Sequence, residues 1–174
     1  MIRMPSLLRC SIAPVAALVF VACSGGGGSS PTAPVGAPSP PQVELDSFGL
    51  VNGAREANGV DPQLALRESI AAVARQHSEQ MRAGGFFSHQ DPQGRLVTDR
   101  LAEAGIAFSV AAENLARVTN RPDPARWAHE ELMASGEHRP NILSPDVALI
   151  GVGVAREGNT YWITQVFIDD VSGE

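Results

Sequence analysis

The sequence has no lysine, only two cysteines and few aromatic residues. Both cysteines, Cys10 and Cys23, lie near the N-terminus, so they supply neither a disulfide framework nor a cysteine-rich zinc site. Thirteen arginines face 19 acidic residues, and the net charge of −6 argues against general affinity for nucleic acid. The 44% of hydrophobic residues can still bury a core, which argues against wholesale disorder.

The N-terminal 43 residues differ from the rest of the chain in charge and composition. They contain two arginines and no acid, whereas residues 44–174 contain 11 arginines and all 19 acids, a net charge of −8. Residues 1–22 have a basic start and an apolar run of 12 residues. This order is typical of a secretory signal, and the run is shorter than the roughly 20 residues that span a bilayer.

The apolar run ends in Phe20-Val21-Ala22-Cys23, which resembles a bacterial lipobox, although Phe20 replaces the usual leucine. In that class the cysteine is lipidated, so Cys23 is the expected link to the membrane; an ordinary secretory signal with an incidental cysteine is the alternative. Gly, Pro and Ser fill 14 of the next 19 positions, which predicts disorder. We therefore expect a lipoprotein signal peptide (1–22), a lipidated linker (23–42) and a folded domain (43–174), exported and anchored in the cell envelope, at the outer membrane if one is present.

Apolar spacing in the folded part predicts helices first and β-strands last. A stripe at helical spacing predicts a long helix over residues 62–83. Shorter helices are expected over 44–58, 95–104 and about 122–134, with a strand over 106–111. Two β-rich runs, 147–155 and 160–168, flank Glu157-Gly158-Asn159 and predict a hairpin. This order favours an α+β sandwich.

Two of the four histidines lie in predicted loops, where functional residues are common. His89 follows two phenylalanines, and His138 lies just past a predicted helix end. Glu113 follows a strand-like run, so a cluster of two histidines and one glutamate is a candidate site. His77 lies on the apolar stripe and is expected in the core, whereas His129 is expected at the solvated surface.

Five segments in a fixed order carry a resemblance to a known family. They are LVNGAR from Leu50, ARQHSEQM from Ala74, FSHQDP from Phe87, AENLA from Ala112 and SGEHRPNIL from Ser135, followed by GVGV and YWITQVF. Together they resemble the CAP superfamily of cysteine-rich secretory, antigen 5 and pathogenesis-related proteins, in its disulfide-free bacterial SCP-like branch. The resemblance covers residues 48–168 and implies an α-β-α sandwich, with helices flanking a small antiparallel sheet and a central cleft.

The resemblance also implies which residues line the cleft, where the family commonly has two histidines and two acids that can hold a divalent metal. His89, Glu113 and His138 match three of these positions, Ser135 stands at the fourth, and Asn114 follows the glutamate. Two imidazoles and a carboxylate could hold Zn²⁺ with an open fourth position, or form a polar cluster without metal. Ser135, His138 and Glu113 could alternatively mimic a hydrolytic triad.

Three functions are compatible with these residues. The leading interpretation is a non-catalytic binding module that takes a lipid, a sterol or an envelope ligand in its cleft. A metal-dependent hydrolase of the cell envelope is the alternative, and a structural or interaction protein with a vestigial cleft is the third. No phosphate-loop, HExxH or GxSxG motif is present to support a more specific activity.

Overall fold

The computed structural model describes residues 36–171, so the predicted signal peptide and most of the predicted linker lie outside it. The elements are α1 (Pro40–Ala57), β1 (Ala65–Leu66), α2 (Glu68–Gly84), α3 (Val97–Glu103), β2 (Ala111–Thr119), α4 (Pro124–Ala134), α5 (Arg139–Ile142), β3 (Leu149–Glu157) and β4 (Thr160–Ile168). None of the helices within residues 36–171 is long and apolar enough to cross a membrane.

The four strands form one sheet in the order β1-β3-β4-β2. β4 pairs antiparallel with both β3 and β2, and the two residues of β1 run parallel to β3. Side chains alternate across the sheet, so Ile163 and Phe167 join a core with α1, α4 and α5, while Val166 and Ile168 join a core with α2 and α3. The fold is therefore an α-β-α sandwich, which confirms the expected fold class.

The GVG segment brings α2 close to β3. A Cβ atom on Gly151 or Gly153 would lie 2.3 or 2.0 Å from backbone atoms of α2, closer than any real contact allows. Only glycine therefore lets the helix backbone rest on this strand.

The first helix begins earlier than expected. α1 starts at Pro40, so residues 40–42, which the composition places in the linker, are helical. Proline suits the first turn of a helix, because its missing N–H would have no partner there. The hydroxyl of Tyr161 donates a hydrogen bond of 2.7 Å to the carbonyl of Pro38 and fastens the entry to the helix.

Two other predicted elements are displaced. The helix expected from residue 62 begins at Glu68, because residues 65–66 pair with β3 and the Arg67 N–H donates to Ile150. The strand expected over 106–111 runs instead from 111 to 119. The N–H groups of Ser109 and Val110 bond to the Asp169 carboxylate and hold this stretch as a loop. The hairpin of β3 and β4 is confirmed.

Candidate functional site

The loop after α2, which carries His89, is shaped by Asp91. One oxygen of this carboxylate accepts the N–H groups of Gln93 and Arg95, and the other accepts the Arg95 guanidinium at 2.8 Å. Burial alone would raise the pKa of Asp91, but these hydrogen bonds outweigh it and lower the pKa. At the start of the loop, His77 Nε2 lies 2.9 Å from the carbonyl oxygen of Ser88, so the loop is held from both sides.

Glu113 in β2 joins this loop to α3. Its Oε1 lies 2.8 Å from His89 Nδ1, and its Oε2 lies 2.5 Å from Nη2 of Arg100. The side chains of Glu113 and Arg100 are only 3% and 4% exposed. Arg100 also donates to the carbonyl oxygen of His89 at 3.0 Å, so one guanidinium fixes both partners of this contact.

The sequence motifs predict His89 and Glu113 as one cluster, but they do not include Arg100. A signal for it exists, because Val97, Arg100 and Leu101 share one face of α3 and an arginine on an apolar face needs a buried acid.

A chain of side-chain amides ties the second histidine loop to the sheet. Nδ2 of Asn114 donates to the carbonyl oxygen of His138 at 3.2 Å, and its Oδ1 accepts from Asn141 at 2.8 Å. Gln165 accepts from the same Nδ2 and donates to Ser47 of α1. Glu113 and Asn114 are neighbours on opposite faces of β2, so this dipeptide holds one histidine loop on each side.

Ser135 ends α4 and shapes the turn that carries His138. Its hydroxyl lies 2.9 Å from His138 Nδ1 and accepts the N–H groups of Glu137 and His138. Glu113 has its oxygens on His89 and Arg100 instead, so the structure does not assemble the triad of Ser135, His138 and Glu113. The serine acts here as a cap for the turn.

The residues expected to hold a divalent metal do not fit one. The Arg100 guanidinium already places a buried positive charge on the Glu113 carboxylate, where it repels a second cation. Within residues 36–171, no group of three or more His, Cys, Asp or Glu side chains is arranged to hold a metal ion. His89, Glu113 and His138 therefore form two separate hydrogen-bonded pairs, His89 with Glu113 and His138 with Ser135.

A cleft of about 360 Å³ lies between the two histidine loops, beside β2. Its lining includes Phe87, Leu115, Arg117, Leu132, Ser135 and His138. Phe87 is 43% exposed, and the Arg117 guanidinium lies 5.5 Å from the centroid of its ring. The cleft therefore combines an accessible aromatic wall with a polar one.

The remaining two histidines lie outside this cleft. His77 is fully buried, as its place on the stripe predicted, and burial lowers its pKa. His129 was expected at the solvated surface, but it is half-buried because it lines a groove of about 680 Å³ between α1 and α4. Burial lowers its pKa as well.

An α-β-α sandwich with a Glu-Asn dipeptide set between two histidine loops defines a CAP-type domain. The sequence profile of the CAP family, the cysteine-rich secretory protein family, matches residues 48–167, and the chain belongs to this family. The described residues contain no cysteine, so this fold forms without a disulfide, as in the bacterial branch that the sequence resembles.

The relatives agree with this assignment. YkwD of Bacillus subtilis is 34% identical over 119 residues, covering 68% of this chain and 44% of its own length. YlbC of the same organism, named as a membrane protein, is 37% identical over 126 residues, 72% of this chain and 34% of its own. The chain thus spans less than half the length of these curated relatives.

Solved structures show the same fold. An extracellular SCP-domain protein from Bacillus anthracis has a TM-score of 0.67 at 30% identity, covering 75% of this chain and 41% of that chain. An outer surface protein of Borrelia burgdorferi has a TM-score of 0.65 at 14% identity, covering 73% and 94% of the chains, which shows the fold alone. The extracellular description of the Bacillus anthracis relative supports export of this chain.

Proposed function

We propose that this chain is an exported, lipid-anchored binding protein whose cleft holds a small ligand of the cell envelope without transforming it. The observation that carries the proposal is the accessible Phe87 ring facing Ser135 and His138 across a cleft of about 360 Å³. That volume lies in the range of ligand sites, and an exposed aromatic ring opposite polar groups is typical of recognition.

The polar groups near the cleft support binding more than catalysis. A hydrolase needs a free nucleophile next to a base that a third group orients. Here the Ser135 hydroxyl lies 2.9 Å from His138 Nδ1, but the carboxylate that would orient this histidine, Glu113, is held by His89 and Arg100 instead. These groups stabilise loops, which leaves the cleft as a preformed surface.

The mixed lining favours a polar or amphipathic envelope ligand over a sterol. Arg117 and Glu131 line the cleft together with the histidine and serine, so a wholly apolar ligand would leave charged groups without water or partners.

A ligand panel with one matched pair of variants tests the proposal. Capped peptides, peptidoglycan fragments and phospholipid vesicles are titrated against the mature chain carrying Cys23→Ser, with fluorescence anisotropy as the readout. Phe87→Ala should lower the affinity for the class of ligand that binds by at least tenfold. Leu96→Ala should leave it unchanged, because Leu96 is similarly exposed, at 46% against 43%, but lies outside the cleft lining. Uniform absence of binding, or equal affinity of the two variants, would contradict the proposal and favour a structural role.

A further inference from the structure

The strand β2 forms an edge of the sheet. It pairs with β4 on one side, and no other strand within residues 36–171 pairs with its second side. The strand is nine residues long and contains neither proline nor glycine. Edge strands of this length are usually protected by proline, bulges, charges or a covering element, because their free N–H and C=O groups invite another strand.

The direction of the free backbone groups follows from the two ends of β2. The Asp169 N–H donates to the carbonyl of Val110, and the Asn120 N–H donates to the carbonyl of Asn159. Even-numbered residues therefore turn their backbone groups towards β4, and odd-numbered residues turn theirs away, since antiparallel pairing alternates. The side chain of Asn141 reaches the carbonyl oxygen of Glu113 at 3.5 Å, which agrees with this parity.

Beyond Glu113 the outward backbone groups border the cleft. No loop or side-chain group in the described part of the chain hydrogen-bonds to the N–H or C=O of Leu115 or Arg117. The cleft is lined by Leu115, Ala116 and Arg117 in succession. Because consecutive side chains point to opposite faces, a cavity that touches all three must follow the backbone edge.

The walls of the cleft lie on either side of this edge. Phe87 belongs to one wall. Leu132, Ser135 and His138, which come from α4 and the turn after it, belong to the other. A strand laid along β2 would direct its side chains alternately to the two walls. The backbone would then supply affinity and the walls would supply selectivity.

We propose that the free edge of β2 from Leu115 to Thr119 binds an extended, neutral or basic peptide segment as an added strand. A peptide backbone repeats a donor and an acceptor about every 6.8 Å along one edge, the spacing that this row of groups requires. In the lining the exposed Glu131 offsets the exposed Arg117, so the net charge of −8 on residues 44–174 favours a basic over an acidic peptide. Five residues of β2 span roughly 17 Å, so a pentapeptide fills the edge.

This inference rests on the proposed function, since it names the ligand class of the same cleft. The probe is a pool of capped pentapeptides that alternate threonine and valine and end in lysine. Two matched pools carry N-methyl groups on odd or on even amides. One methylated pool should lose at least tenfold in affinity for the mature chain carrying Cys23→Ser, and the other should bind like the parent pool. If both methylated pools bind like the parent, or no pool binds, strand addition is wrong.

A pair of variants tests the protein side of the same contact. Arg117→Pro removes an outward N–H without removing a bond to β4, whereas Arg117→Ala removes the same side chain and keeps the N–H. The proline variant should bind the parent pool at least tenfold more weakly than the alanine variant, and equal affinities would overturn the inference. If circular dichroism shows that the proline variant is unfolded, amide exchange in the alanine variant decides: the amide of residue 117 should exchange at least tenfold more slowly with peptide.

The outcomes separate this inference from the proposed function. Binding of glycan fragments or vesicles that depends on Phe87, without peptide binding, would leave the proposed function standing and overturn strand addition. Absence of binding by every class would overturn both.

Discussion

At the scale of single residues, Arg100 decides what the Glu113 carboxylate can do. The ion pair is almost fully buried, and breaking such a pair by removing one partner leaves an uncompensated charge in the interior. The same guanidinium holds the carbonyl of His89. Arg100 therefore serves both the stability of the domain and the position of the loop at the cleft.

Arg100→Met should lower the free energy of unfolding by about 3–5 kcal/mol, measured by urea denaturation. The control is Arg126→Met, which breaks an exposed ion pair with Asp123 and should cost no more than about 1 kcal/mol. Adding Glu113→Met to Arg100→Met should recover part of the loss, because the unpaired charge is gone. Equal costs for the two single variants would contradict a structural role for the buried pair.

His77 makes stability depend on pH. Burial lowers its folded-state pKa, so the unfolded chain binds a proton more readily. Stability should be full above the unfolded pKa of about 6.5 and decline as the pH falls below it. His77→Gln keeps a donor for Ser88 and should flatten this decline between pH 7.5 and 5 in urea titrations. Adding His129→Gln to His77→Gln should flatten the decline further. If the double variant keeps the wild-type slope, neither histidine causes the pH dependence.

Part of this arrangement of side chains is predictable from the sequence. The motif order placed His89 near Glu113, which the 2.8 Å contact now shows. His138 is instead tied to Ser135 and Asn114, because a serine caps the turn where the resemblance expects an acid. The place of Arg100 on the apolar face of α3 is a weak signal, because an arginine in a short amphipathic helix is usually solvated; its buried partner Glu113 lies in a different element, β2.

At the scale of elements, the contact of α2 with β3 sets the thickness of the sandwich. Gly151 and Gly153 let the helix backbone lie directly on the strand. The same helix ends at the loop that carries His89, so the fit between α2 and β3 also places one wall of the cleft.

Gly153→Ala should destabilise the domain by about 1–3 kcal/mol or more, since its Cβ would overlap the backbone of α2 and force the helix outwards. Gly49→Ala in α1 is the matched control, because nothing lies within 4 Å of its added Cβ. That variant should be neutral or stabilising by up to about 1 kcal/mol in thermal unfolding. Similar melting temperatures for the two variants would contradict this account of the GVG segment.

Elements with local signals were predictable from the sequence, and those defined by distant partners were not. The hairpin of β3 and β4 has alternating β-formers around a glycine turn, and its pairing is confirmed. The two-residue strand β1 has no such signal, because it exists only through pairing with β3, so α2 was predicted to start too early. The strand predicted over residues 106–111 is a loop instead, because the Asp169 carboxylate binds the N–H groups in this stretch, and the strand β2 follows it.

At the scale of the whole molecule, an acidic domain without cysteine follows an N-terminal segment with the composition of a signal and a linker. Like charges repel an acidic domain from an anionic membrane surface, so charge would not hold it there. The proposed lipid on Cys23 would hold the domain at the membrane in spite of this repulsion.

Cys23→Ser should abolish membrane attachment. In a bacterial host, the wild-type chain should sediment with membranes, and its intact mass should exceed that of the chain from residue 23 by several acyl groups. The variant should lose the acyl mass and appear in the soluble exported fraction. Cys10→Ser should behave as wild type, because Cys10 lies in the predicted signal. An unmodified mass for the wild-type protein would refute the anchor.

The cleft along β2 is the proposed binding surface of this domain. The most direct measurement is an amide ¹H–¹⁵N spectrum of the mature chain carrying Cys23→Ser, recorded with and without the ligand class retained in the panel. The account predicts shifts concentrated at Phe87, Leu115, Arg117 and His138. Shifts centred on the groove between α1 and α4, or none at saturating concentrations of every class, would contradict it.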